Sequence, residues 1–273
     1  MGGGDARVIR LAVRVPRAQA ELVAAELLVL SPAGLEERDV DADTVELAIY
    51  GAPGELPDVG ALRAAAGYAL VHVSTTEVAD DWAERWREWH RPLDVGPLRV
   101  RPPWEPPRAG ALDVVIEPGQ AFGTGAHPST RLSLELLVAL PAAGPLADWG
   151  CGSGILALAA ARLGFAPVVA CDVEPESVAA TRAAAVAHGL AVKVSRCDLR
   201  RAPGPPAPTV TANLVRPLLL EVAERMERPP ERLIASGLAH DEAGDVVDAF
   251  ARHGLRPGAR RDGEGWSAIL LVR

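Results

Sequence analysis

Apolar and polar residues alternate from Arg7 to Val15, the two-residue period of a half-buried strand, and from Ala18 to Leu30 apolar positions recur at helical spacing. After the breakers Pro32 and Gly34, short strands are expected at Leu35 to Asp39 and Thr44 to Tyr50, then a helix at Asp58 to Ala66 and a strand at Leu70 to Val78. The order βαββαβ is the ferredoxin-like split pattern, a small α+β module that assigns no function by itself.

The next stretch, Asp80 to His90, opens with acidic residues, where a helix dipole favours them, and is stopped by Pro92. Trp82, Trp86 and Trp89 share one face of this helix. The stripe either packs it against a domain or offers an aromatic surface to a partner. Pro102 to Pro107 read as a loop. Beyond it, strands expected at Ala111 to Ile116, Leu146 to Trp149, Val168 to Cys171, Val192 to Ser195, Thr209 to Ala212, Arg232 to Ala235 and Trp266 to Val272 alternate with helices. The helices are expected at Ser129 to Leu140, Ile155 to Leu163, Pro175 to His188, Arg216 to Met226 and Asp241 to His253. Such alternation predicts a mostly parallel sheet covered on both faces. The expected organisation is a module over 1–78, a helical linker over 79–107 and an α/β domain over 108–273.

Composition narrows the classes. The 273 residues are 49% apolar and 23% charged, as in a globular protein, with a formal charge of −8. That balance argues against a sequence-independent grip on nucleic acid, which needs basic residues to neutralise phosphates, and suits a basic protein partner. Cys151, Cys171 and Cys197 have neither disulfide nor zinc-site spacing, so no metal is expected and a reducing, cytoplasmic setting fits. The first residues carry no apolar signal run, and no apolar stretch is long enough to span a bilayer.

The chemistry lies at strand-to-helix turns, since open α/β sheets bind ligands beyond the carboxyl ends of their strands. Asp148-Trp149-Gly150-Cys151-Gly152-Ser153-Gly154 places glycines where the chain turns tightly and approaches a ligand closely. Position 155 is Ile, and the third glycine comes one residue too early for the dinucleotide fingerprint, which points to an adenosyl cofactor without a pyrophosphate. Asp172 ends the next strand and offers a carboxylate to two ribose hydroxyls. Upstream, Glu117 to Thr130 opens a helix that Ser129 or Thr130 would cap, leaving amides for a carboxylate; a flexible loop with an ordinary cap is the alternative. His127 is either a base or a structural residue. Asn213, after the strand Thr209 to Ala212, either holds an amine through its carboxamide oxygen or caps the following helix.

Together these residues resemble the ribosomal protein L-eleven methyltransferases (PrmA family). The likeness runs from about Asp80 to the end: Asp81-Trp82 with Trp86, Phe122-Gly-Thr-Gly-x-His-Pro-x-Thr130, Asp148-x-Gly-Cys-Gly-Ser-Gly-Ile-Leu156, Cys171-Asp-Val-x-Pro175, Ala212-Asn-Leu214, Ser236-Gly237 and Glu264-Gly265-Trp266. The sequence departs from the pattern at Trp149, Arg216-Pro217 and Pro229-Pro230. The resemblance implies a seven-stranded Rossmann-like methyltransferase domain with a small substrate-recognition domain before it. It further implies S-adenosyl-L-methionine as cofactor, contacts to it at Thr130, Gly150, Asp172 and Asn213, and methylation of lysine side chains or the N-terminal amine of a large-subunit ribosomal protein. Local chemistry adds Gly152 and Phe122 to the cofactor residues and gives Asn213 the positioning of the amine. A monomer is expected. The competing readings are a methyltransferase for another protein or a small molecule, and a non-catalytic ribosome-assembly factor on the same scaffold.

Overall fold

The computed structural model describes residues 8–20, 23–24, 27, 36–41, 43–51, 72–78, 91–117 and 127–273. The chain divides into two compact units, Met1–Trp89 and His90–Arg273. In the first, strands β1 (Val8–Pro16), β2 (Glu36–Asp39), β3 (Thr44–Gly51) and β4 (His72–Val78) form an antiparallel sheet in the order β2-β3-β1-β4. Strand alternation sends Leu11, Val13 and Val15 of β1 and Val45, Leu47 and Ile49 of β3 to one face, where they pack with the helical residues Ala20, Val23 and Leu27. Glu46 is also buried, and hydrogen bonds from Arg14 and Arg10 hold its carboxyl below the usual range despite that burial. The expected helix at Asp58 to Ala66, the tryptophan-bearing helix and the Phe122 loop lie outside the described residues.

The second unit contains a sheet in the order β10-β9-β8-β11-β12-β14-β13, from β8 (Leu146–Trp149), β9 (Val168–Asp172), β10 (Val192–Arg196), β11 (Thr209–Asn213), β12 (Arg232–Ala239), β13 (Arg256–Gly263) and β14 (Trp266–Val272). The strands from β8 to β12 pair in parallel, while β14 runs antiparallel to both β12 and β13. Helices α1 (Pro128–Val138), α2 (Ile155–Leu163), α3 (Pro175–Ala187), α4 (Arg216–Glu224) and α5 (Ala243–Ala251) alternate with the strands. Successive strand residues feed opposite faces. Leu146, Ile234 and Ala268 join the core with Leu132, Leu136 and Leu158, whereas Ala147, Leu233 and Ile269 join Leu219, Val222 and Phe250. Burial on both faces explains the near-continuous apolar strands. Helix α2 starts after Gly154 and ends at Gly164, both left-handed, where a side-chain-free residue avoids a Cβ penalty.

Three features differ from the sequence reading. The strand expected at Ala111 to Ile116 exists as β7 (Leu112–Val115) but pairs outside the large sheet, in a three-stranded one with β5 (Leu93–Val95) and β6 (Leu98–Arg101). Strands β5 and β6 occupy part of the segment read as linker and loop, because runs of three and four residues are too short for a period to show. Strand β13 had no signal: at the sheet edge it presents Arg256, Arg260 and Arg261, charged positions that discourage pairing with another chain.

Candidate functional site

The carboxyl ends of β8, β9 and β11 converge at the point where the chain order reverses, the place an α/β sheet reserves for a ligand. Gly150, Gly152 and Gly154 have φ of +73°, +52° and +85°, so the loop after β8 is left-handed at three positions. Their reasons differ. A Cβ on Gly154 would lie 2.9 Å from Thr181 Oγ1, which donates to the Gly152 carbonyl at 2.9 Å and braces the loop from α3. A Cβ on Gly150 would lie 2.3 Å from Leu214 Cδ2, so this glycine admits the residue that follows Asn213.

Asp172, at the end of β9, accepts the Gly152 amide on Oδ2 at 2.9 Å and the Glu174 amide on Oδ1 at 3.0 Å. Each carboxylate oxygen has a second lone-pair site beyond these amides, so the half-buried group suits a pair of adjacent hydroxyls. Asn213 ends β11 and donates from Nδ2 to Thr130 Oγ1 at 3.2 Å, joining the sheet to the first turn of α1. It does not cap α4, whose N-cap is Val215 without a side-chain bond. Of the residues singled out in the sequence, Thr130, Gly150, Gly152, Asp172 and Asn213 thus cluster at one end of the sheet, and Phe122 lies outside the described residues.

Neither Ser129 nor Thr130 caps α1. His127 does, its Nδ1 accepting the Ser129 amide at 3.2 Å with Pro128 at the first helical position. The Thr130 and Arg131 amides bond to the His127 carbonyl at 3.1 and 3.4 Å, so the first-turn amides expected to be open to a carboxylate are occupied. Burial pushes the His127 ring below its usual pKa, against an opposing pull from Glu264, so it serves as a neutral acceptor. Trp149, where the sequence departs from the family pattern, is a core residue. Its Nε1 donates to the Pro205 carbonyl at 3.0 Å, beneath a close approach by Gly204.

Asp148 escaped the sequence reading as a separate element, although an acid inside the apolar run Leu146-Ala147-Asp148-Trp149 was a visible signal. It accepts Thr211 Oγ1 at 2.7 Å and the Ala157 amide at 3.1 Å, locking β8 to β11 and to α2. Burial pushes its carboxyl up to about 7. Burial also raises the Cys151 thiol to about 12 and shifts Cys171 upward, so neither is a thiolate nucleophile at neutral pH. Asp198, two residues past β10, takes the Arg200 amide at 3.0 Å and pairs with Arg201 at 3.4 Å. Its place just past the strand expected at Val192 to Ser195 was the signal that could have found it.

A parallel sheet with its order reversed beside β8, a left-handed glycine loop and a carboxylate closing the next strand defines the α/β class that binds a nucleoside-bearing cofactor. The family model described as "Ribosomal protein L11 methyltransferase (PrmA)" matches residues 32–273, and the chain belongs to that family. Among its relatives, the ribosomal protein L11 methyltransferase of Geobacter metallireducens is 39% identical over 203 residues, 72% of this chain and 67% of that protein. That of Geobacter sulfurreducens is 32% identical over 97% of this chain and 98% of its own length. A crystal structure of ribosomal protein L11 methylase from Lactobacillus delbrueckii subsp. bulgaricus shares the fold with a TM-score of 0.60, at 24% identity, over 67% of this chain and 98% of that one.

Proposed function

We propose that this protein transfers the methyl group of S-adenosyl-L-methionine to amine nitrogens of ribosomal protein L11, on lysine side chains, the N-terminal amine or both. Family membership supports methyl transfer and the acceptor protein, since the relatives are named ribosomal protein L11 methyltransferases. The observation that carries the chemical reading is the bond from Asn213 Nδ2 to Thr130 Oγ1. It turns the Nδ2 end of the carboxamide towards Thr130 and leaves Oδ1 as the acceptor for a substrate N–H.

The residues present fit the cofactor. Asp172 has the acceptor chemistry for ribose hydroxyls, and the Gly150 to Gly154 loop brings backbone close beside it. Thr130, Gly150, Gly152, Asp172 and Asn213, with Phe122, form the proposed contact set. When bound, S-adenosyl-L-methionine supplies an electrophilic methyl on a positively charged sulfur. An amine attacks only when neutral, and for a lysine of pKa ~10.4 neutrality at pH 7 costs roughly 4 to 5 kcal/mol. Removal from water lowers that cost, and Asn213 then holds the amine by one N–H with its lone pair directed at the methyl.

The finer architecture belongs to the same proposal. The seven strands ending in the β14 and β13 hairpin correspond to a Rossmann-like methyltransferase domain. The four-stranded sheet in the order β2-β3-β1-β4 supports a ferredoxin-like substrate-recognition domain over 1–78, followed by a linker over 79–107 and the methyltransferase domain over 108–273. The enzyme works as a monomer, without nucleic-acid contact, in the cytoplasm; among the described residues no helix is long and apolar enough to cross a membrane. Incubation with labelled cofactor and purified ribosomal protein L11, followed by mass mapping, should place label on amine nitrogens of L11. Absence of label under conditions where calorimetry shows cofactor binding would overturn the acceptor assignment.

A further inference from the structure

Ser236 and Gly237 lie within β12 where its ladder with β14 is interrupted, the register shifting between Ala235 and Leu238. The interruption lies beside Asn213, which pairs with Ser236 across the parallel strands. Three contacts leave from it. The Ser236 carbonyl accepts the Leu214 amide at 3.0 Å. The Ser236 hydroxyl meets that of Ser133, which donates onward to the Ser129 carbonyl at 2.8 Å, so β12 is tied to the turn of α1 that carries Thr130. Gly237, at φ +81°, faces Asn213 and Leu214: a Cβ there would lie 2.6 Å from the Leu214 carbonyl oxygen and 3.0 Å from Asn213 Oδ1. A backbone oxygen cannot swing aside as the end of a flexible side chain can. The added methyl would therefore displace the end of β11 together with the carboxamide.

We propose that Gly237, with Ser236, is a positioning residue for methyl transfer: the side-chain-free bend in β12 lets Asn213 lie with Nδ2 on Thr130 and Oδ1 clear to accept the substrate amine. Ser236 fixes the Thr130 side of this arrangement and Gly237 the Oδ1 side. The inference rests on the role given above to Asn213, and it predicts a loss of turnover that exceeds any loss of cofactor affinity.

The test compares Gly237→Ala with Gly254→Ala and Asn213→Ala in the full chain. Gly254 has φ +80° and nothing within 4 Å of a built Cβ, so its substitution carries the same backbone strain without the collision. Measured for each are the thermal midpoint, the cofactor Kd by calorimetry, and kcat and KM with ribosomal protein L11, together with the side-chain amide resonances of Asn213 in every variant that keeps this residue. Gly237→Ala should lower kcat at saturating cofactor by about tenfold or more, with a smaller factor lost in cofactor Kd, and should shift the Asn213 amide pair. Gly254→Ala should leave kcat and the Asn213 resonances unchanged. Ser236→Ala introduces no collision and decides the matter should Gly237→Ala not fold: a reduced kcat with a shifted Asn213 amide supports the proposal. Turnover equal to Gly254→Ala with unmoved Asn213 resonances, in a background where Asn213→Ala is impaired, overturns it. Full turnover by Asn213→Ala would instead overturn the role of Asn213, whatever the resonances show.

Discussion

Asp148 shows how far one buried group can set the behaviour of its surroundings. Its side chain is almost wholly enclosed, and the hydrogen bonds from Thr211 and Ala157 only partly offset the cost of a charge there. With its carboxyl raised to about 7, the native protein keeps a proton that the unfolded chain has lost above its ordinary value of 3.8. Stability from this group is therefore full below that lower value and falls as pH rises towards 7, by roughly 4 kcal/mol across the window. Asp148→Asn cannot titrate and should lack this decline. Urea unfolding at several pH values between about 4.5 and 7.5 measures it, and parallel pH profiles for the two proteins would refute it. Asp172, Gly150 and Asn213 could be picked out in the sequence because each belongs to a local spacing. The packing of Leu214 against Gly150 could not, since it joins residues 64 positions apart whose proximity depends on the pairing of β8 with β11.

At the scale of elements, α1 links the site to the far edge of the sheet. Arg131 pairs with Glu264 at 2.9 Å, and the Trp266 ring meets the His127 ring edge-on with centroids 4.5 Å apart, so the β13 to β14 turn braces the start of the helix. The cap needs a lone pair on His127 Nδ1 and hence a neutral ring. Because burial depresses the folded pKa of this ring below 6.5, the cap's contribution is complete above that value and is lost as pH falls through the lower folded one. His127→Ala should cost about 1 kcal/mol near pH 7.5, whereas His127→Asn, which can still accept the amide, should cost less. Thermal or urea unfolding checks this, and an alanine penalty undiminished at acid pH would show that the ring stabilises the helix by packing instead. Sequence period located α1, α2 and the inner strands. It could not separate β7 from the large sheet, because strand propensity carries no information about which strand will be the partner.

For the whole molecule, the two units have separate cores, one around Leu47 and Ile49 and the other on the two faces of the large sheet. A chain comprising residues 90–273 should therefore fold and bind S-adenosyl-L-methionine about as tightly as the full protein. On the proposed role of the first unit in substrate recognition, its kcat/KM with ribosomal protein L11 should fall by ~100-fold or more, through loss of binding energy from a remote surface. Calorimetry and methyl-transfer kinetics test this, and undiminished kcat/KM would remove substrate recognition from the first unit. The sequence by itself determined the α/β class and the family, and singled out residues that gather at one end of the sheet, because glycine spacing, strand-end acids and apolar periodicity are local properties of a chain. Only the tertiary structure decided that His127 caps α1, that burial raises the Asp148 carboxyl, and that a bend at Ser236-Gly237 frames Asn213. Those outcomes depend on contacts between distant segments, and they arise only when the sheet order brings the carboxyl ends of β8, β9, β11 and β12 together.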